Sequence, residues 1–141
     1  MPKANKTLIE ALRKAAQNLD QGVKYEWGHM GRCNCGHLVQ TVTEMSDIEI
    51  VKAVDHKLDE WTEHAKDYCG DSDRKIDDLF VTMDQIGFSH YDMSHLENLS
   101  DQNVLSRLTD KNYLERNNPN HVSLYMSTMA NMLEKQLKIR F

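Results

Sequence analysis

Apolar residues recur at alternating spacings of three and four along most of the chain, the mark of helices that each bury one face. Leu8, Leu12, Ala15, Ala16 and Leu19 trace the first stripe, and Thr7 with Glu10 has capping-box spacing. A helix is expected from about residue 7 to 20, ending near Gly22. A second stripe follows Ser46-Asp47-Ile48-Glu49, another capping box. It carries Val51, Val54, Leu58, Trp61, Ala65 and Tyr68, so one long helix is predicted up to Gly70. Asp71-Ser72-Asp73 then supplies a new cap, and Ile76, Leu79, Phe80, Met83 and Ile86 mark one face of a further helix that Gly87 ends. After Pro119-Asn120, the residues Val122, Tyr125, Met126, Met129, Met132, Leu133 and Leu137 share a side, with Lys135, Lys138 and Arg140 in the last turn.

The pattern is choppier between residues 88 and 118. Ser89 and Ser100 are candidate caps there for short helices containing Leu96, Leu99, Val104, Leu105 and Leu108. Asn34, followed by Leu38, Val39, Val42 and Met45, predicts another short helix. Only Tyr25 to Gly36 fits no helix well: it holds three of the six glycines and two cysteines, the composition of a tight loop.

Composition agrees with the periodicity. The two prolines, Pro2 and Pro119, leave more than a hundred consecutive residues without the strongest helix breaker. The 14 Leu, 8 Met and 7 Ala outnumber the 8 Val and 6 Ile, favouring helix over strand. The expected fold is all-α: a single-domain helical bundle over residues 1–141, with about four longer helices, two or three short ones, and a Gly/Cys/His-rich loop near residues 25–36. At this length a core can hold the fold without disulfides or a structural metal.

Charge and hydropathy narrow the partners. The net charge of −5, spread along the chain, argues against a broad nucleic-acid-binding surface. Apolar runs of two or three residues are far too short to span a membrane, and no secretory apolar segment follows Met1, so the expectation is a cytoplasmic protein. The methionine stripe Met126, Met129 and Met132 reads as core; if displayed instead, it would support a homodimer.

Chemistry concentrates in Trp27-Gly28-His29-Met30-Gly31-Arg32-Cys33-Asn34-Cys35-Gly36-His37. His29, Cys33, Cys35 and His37, with Cys69 completing the set, offer the thiolate and imidazole ligands that suit zinc. Structural zinc sites usually space their cysteines by two to four residues, whereas C-x-C leaves less chain to turn both sulfurs toward one ion. The other reading of the same residues is bland: reduced, mostly buried thiols and histidines hydrogen-bonded across a glycine loop.

A thiol nucleophile is a further candidate. In the first turn of a helix starting near Asn34, Cys35 would feel the dipole that lowers a thiol pKa, with His29 or His37 as its base. Asn34-Cys35-Gly36-His37 resembles the N-C-x-H nucleophile segment of the lecithin retinol acyltransferase-like group of papain-like hydrolases. The resemblance covers four residues; it implies Cys35 as nucleophile, a catalytic histidine on a preceding strand, and a β-sheet. A redox pair is the third possibility: Cys33 with Cys35 would close a small, strained ring, and Cys69 is the alternative partner of either.

Other constellations weigh less. His56, Glu60 and His64 at i, i+4 and i+8 make a polar flank beside an apolar stripe. The paired helical Glu-x-x-His motifs of di-iron bundles are absent, the single instance, Glu26-x-x-His29, falling in the glycine-rich stretch, and Asp92-x-x-His95 near His90 reads as helix surface. From Asp71 an EF-hand-like loop fails at its fifth, sixth and twelfth positions, where Lys75, Ile76 and Thr82 stand. Phosphate-cradling glycine motifs are absent. The leading expectation is a small non-enzymatic metal-binding protein; the rivals are a structural or interaction module with reduced buried cysteines, and a thiol enzyme or thiol-redox protein centred on Cys35.

Overall fold

The computed structural model describes residues 1–54, 60–66, 68, 75–108 and 114–139. Eight helices and no strand occur among them: α1 (Lys6–Asp20), α2 (Asn34–Thr43), α3 (Asp47–Val54), α4 (Trp61–Lys66), α5 (Lys75–Gln85), α6 (His90–Asn98), α7 (Gln102–Leu105) and α8 (Pro119–Ile139). The all-α expectation is met. No helix among the described residues is long and apolar enough to cross a membrane.

The backbone of the bundle is the pair α1 and α8, the most extensive helix contact among the described residues. The predicted stripe of α1 is buried throughout, with Leu8, Leu12 and Ala15 fully inaccessible. Its cap is Asn5, two residues earlier than Thr7, because the Asn5 Oδ1 reaches the Leu8 amide at 3.2 Å. Pro119 opens α8 at the position where a missing N–H is harmless, and Asn118 Oδ1 accepts from the Asn120 amide. Across the pair, Ser123 Oγ donates to the Ala16 carbonyl at 3.1 Å, while Arg13 pairs with Glu134 at the rim.

Met126 and Met129 are wholly buried, so α8 spends its methionine stripe on the core rather than on a displayed surface. The core continues through Phe80, Met83 and Phe88 to Trp61, which meets Phe80 edge to face with ring centroids 5.6 Å apart.

The long helix predicted from residue 46 to 70 is interrupted. Its start is as expected: the Ser46 and Glu49 side chains cap each other's backbone amides. Glu60, however, lies outside any helix, and a separate helix restarts at Trp61 with the His64 amide bonded to the Glu60 carbonyl. The physical reason is Trp61. Its buried indole needs an acceptor and donates from Nε1 to the Met30 carbonyl, 2.9 Å away. Ser89 and Asp92 form a full capping box on α6, but α7 is capped by Asp101, not Ser100, whose hydroxyl bonds His95 instead. His56, Leu58, Cys69, Gly70 and the EF-hand-like stretch from Asp71 to Arg74 lie outside the described residues.

Candidate functional site

The glycine loop closes on itself before α2 begins. The His29 carbonyl accepts the Arg32 and Cys33 amides at 3.0 and 2.9 Å, and the Glu26 amide returns to the Arg32 carbonyl at 3.1 Å. Two glycines allow this fold-back. A Cβ on Gly36 would stand 2.5 Å from the Met30 oxygen and 2.6 Å from the Gly31 carbonyl carbon, while one on Gly31 would strike the backbone of Asp47. The first turn of α2 therefore rests directly on loop backbone, with no side chain between.

Asn34 is the first residue of α2, and Cys33 stands at the cap position without making a side-chain cap. A residue from another helix fills that role. Glu97, near the end of α6, accepts the Cys35 amide on Oε1 at 3.1 Å. Asn34 answers in the opposite sense: its Nδ2 lies 3.1 and 3.0 Å from the Leu96 and Glu97 carbonyls at the end of α6, where the Leu96 carbonyl also accepts the Leu99 amide at 3.3 Å. Each helix end is thus capped by a side chain of the other, with the electron-poor start of α2 facing the electron-rich end of α6.

The thiols sit inside this joint. Cys33 and Cys35 are 0% exposed and Glu97 is 1% exposed. Cys35 Sγ donates to the Met93 carbonyl at 3.0 Å, and Cys33 Sγ points toward the Met30 carbonyl at 3.9 Å. Cys35 does occupy the first turn of α2, but the dipole does not win. Burial, followed by the charge of Glu97, pushes both thiols well above the ordinary thiol value. Burial likewise raises Glu97, opposed by the Cys35 amide and the two thiols beside it. Its Oε2 is buried without a hydrogen-bond partner among the described residues.

The histidines are engaged elsewhere. His29 Nδ1 accepts the Gly31 amide at 3.1 Å. His37 Nε2 lies 2.8 Å from the Lys24 carbonyl, its ring stacks on Tyr25, and burial lowers its pKa below the usual histidine value. Among the described residues no group of three or more His, Cys, Asp or Glu side chains is arranged to hold a metal ion. Of the five predicted metal ligands, the joint brings Cys33 and Cys35 together and turns His29 and His37 to backbone partners; Cys69 lies outside the described residues. The strand and sheet implied by the acyltransferase resemblance do not occur among the described residues, where α1 and the loop precede Cys35.

The outer wall of the joint is Tyr25, Trp27 and Arg116. Tyr25 Oη lies 2.6 Å from Asn34 Oδ1 and 3.1 Å from the Arg116 carbonyl. The Arg116 guanidinium covers the Trp27 ring at 4.4 Å. Glu97 and Arg116 are the participants sequence reasoning missed. Glu97 sits beside the apolar Leu96 on a short helix, where a carboxylate reads as surface, and only its fixed partner 62 positions away reveals it. Comparison with known protein families, curated proteins and solved structures finds no match.

Proposed function

We propose that this protein is a non-catalytic helical module that acts through its outer surface, with the Cys33–Cys35 loop as the internal joint that fixes α2 against α6. The observation that carries this reading is the commitment of the chemistry-bearing groups to one another. Asn34, Cys35 and Glu97 close a buried hydrogen-bond set, and His29 and His37 bond to backbone. A nucleophile needs the reverse: an accessible thiol with a depressed pKa and a base in reach. The open grooves lie elsewhere, one of about 600 Å³ beside Glu10, Arg13 and Asn131 and one of about 490 Å³ beside Arg107, Met132 and Lys135. Alkylation by iodoacetamide of the folded protein as a function of pH tests the reading. The rate is expected to keep rising past pH 9; a plateau below pH 8 would mark a nucleophilic thiolate and overturn the module.

Metal binding is kept as a second reading on one observation, the unpartnered Glu97 Oε2 beside two thiols. A buried oxygen left so is a standing invitation to an ion. Thiolate and carboxylate are ligand types that zinc takes, and binding would require Cys33, Cys35 and Glu97 to rearrange, since no group of three among the described residues is set to hold an ion. Elemental analysis of protein purified without chelator decides it: near-stoichiometric metal, lost in the Cys33→Ser, Cys35→Ser variant, would replace the module reading with this one.

A further inference from the structure

The joint between α2 and α6 is buried, yet its cover on one side is thin. Residues 114–118 cross it as an irregular segment in which Glu115, Arg116 and Asn117 are exposed and Leu114 is half-buried. Beneath lies the hydroxyl of Tyr25, close enough to Cys33, Cys35 and Glu97 for their charges to raise its pKa further after burial has done so. Leu114 packs against the core and the Glu115 amide donates to His121 Nδ1 at 2.8 Å, while over the joint itself the segment is held by four contacts, all through Arg116. The Arg116 carbonyl receives Asn34 Nδ2 at 3.0 Å and Tyr25 Oη at 3.1 Å, and the Arg116 side chain donates to Asn98 Oδ1 at 2.7 Å and stacks on Trp27.

The main-chain anchor is short of protons. Asn34 Nδ2 carries two hydrogens and faces three carbonyls, those of Leu96, Glu97 and Arg116. Tyr25 carries one, and its nearer acceptor is Asn34 Oδ1 at 2.6 Å rather than the Arg116 carbonyl. Three protons thus serve four acceptors through five contacts. The carbonyls of Leu96 and Glu97 belong to the buried end of α6, whereas the Arg116 carbonyl can turn to water, so it is the contact that yields. Few buried apolar contacts and exposed hydrogen bonds are what distinguish the parts of a protein that open first.

We propose that residues 114–118 are a strap that lifts while the helices stay folded, and that its lifting is what admits reagents to Cys33, Cys35 and Glu97. The side-chain hold of Arg116 on Trp27 and Asn98 sets how often it lifts. This goes beyond the module reading, which stands whether or not the joint can be reached from solvent.

Iodoacetamide labelling of the Cys69→Ser protein, in which Cys33 and Cys35 are the remaining thiols, tests the proposal; each labelled thiolate displaces iodide and is read by mass. The labelling rate is measured against low concentrations of guanidinium beside the global unfolding curve from circular dichroism. The expected result is labelling with a much weaker denaturant dependence than global unfolding, and a rate roughly tenfold higher in Arg116→Ala at an unchanged unfolding midpoint. Trp27→Leu should speed labelling less, because it removes the stacking alone whereas Arg116→Ala also removes the bond to Asn98 Oδ1, and the double variant should gain nothing over Arg116→Ala. Labelling that follows global unfolding in the parent, or a folded Arg116→Ala that labels at the parent rate, overturns the proposal. Should both variants fail to fold, hydrogen exchange at the Cys35 amide of the unsubstituted protein decides: exchange through a low-dependence opening supports the strap, and exchange through global unfolding alone defeats it.

Discussion

The α1–α8 pair and the α2–α6 joint hold the same molecule by opposite means. Between α1 and α8 the contact is mainly apolar, with Leu8, Leu12 and Ala15 against a helix whose Tyr125, Met126 and Met129 are equally buried. Such a surface tolerates exchange of one aliphatic for another of like volume. At the joint, hydrogen bonds between named atoms do the work, and each buried partner lost leaves another unsatisfied. The first kind of contact repeats every turn and degrades gradually; the second is used once and fails at a single residue.

Mutation should separate the two kinds of contact. Asn34→Leu removes the donor to the Leu96 and Glu97 carbonyls and should cost about 4 kcal/mol, read from denaturant unfolding. Leu12→Ala in the apolar pair should cost about 3 kcal/mol. If the order of these two reverses, the joint is not the more brittle region. Gly36→Ala drives a methyl group into the Met30 carbonyl and should cost about 2 kcal/mol, with no counterpart at Ala15, where a Cβ already fits.

Alkaline pH should weaken the joint selectively. The unfolded chain releases its thiol protons near pH 8.5, while burial and Glu97 keep them on Cys33 and Cys35 in the fold. The folded state then binds more protons than the unfolded one, so stability falls as pH rises above that value. The slope is up to about 1.4 kcal/mol per pH unit for each thiol. Melting temperatures measured from pH 7 to 10 should therefore drop less steeply in Cys35→Ala. Arg13→Ala, which removes an exposed ion pair with Glu134, is the smallest change, within about 0.5 kcal/mol by the same unfolding measurement.

This contrast also explains what was legible in the sequence. The stripe on α1 and the stripe on α8 announce themselves because packing imposes a helical period on residue type. The glycine loop was legible as a loop, and Cys35 as a first-turn residue of a helix, because Gly, Asn and the following aliphatics carry local signals. The environment of Cys35 was not. Whether a first-turn thiol is acidified depends on dipole against burial and neighbouring charge, and here Cys35 is buried with its thiol on the Met93 carbonyl and beside Glu97, both far off in the chain. The break before Trp61 was hidden for the same reason. Its stripe is helical in period, and only the Met30 carbonyl, 31 residues away, turns the indole aside.

The pairing of α1 with α8 bears on how the chain is made. The Ser123 hydroxyl and the Ala16 carbonyl it caps are 107 residues apart, and Cys35 waits 62 residues for Glu97. A ribosome therefore delivers the greasy face of the first helix long before its cover exists, and synthesis must run nearly through α8 before that face can be closed. Contacts of such long reach are slow to form. For a helical protein of this size, the vulnerable interval is during translation, when Leu8, Leu12 and Leu19 are open to chaperones or to neighbouring chains.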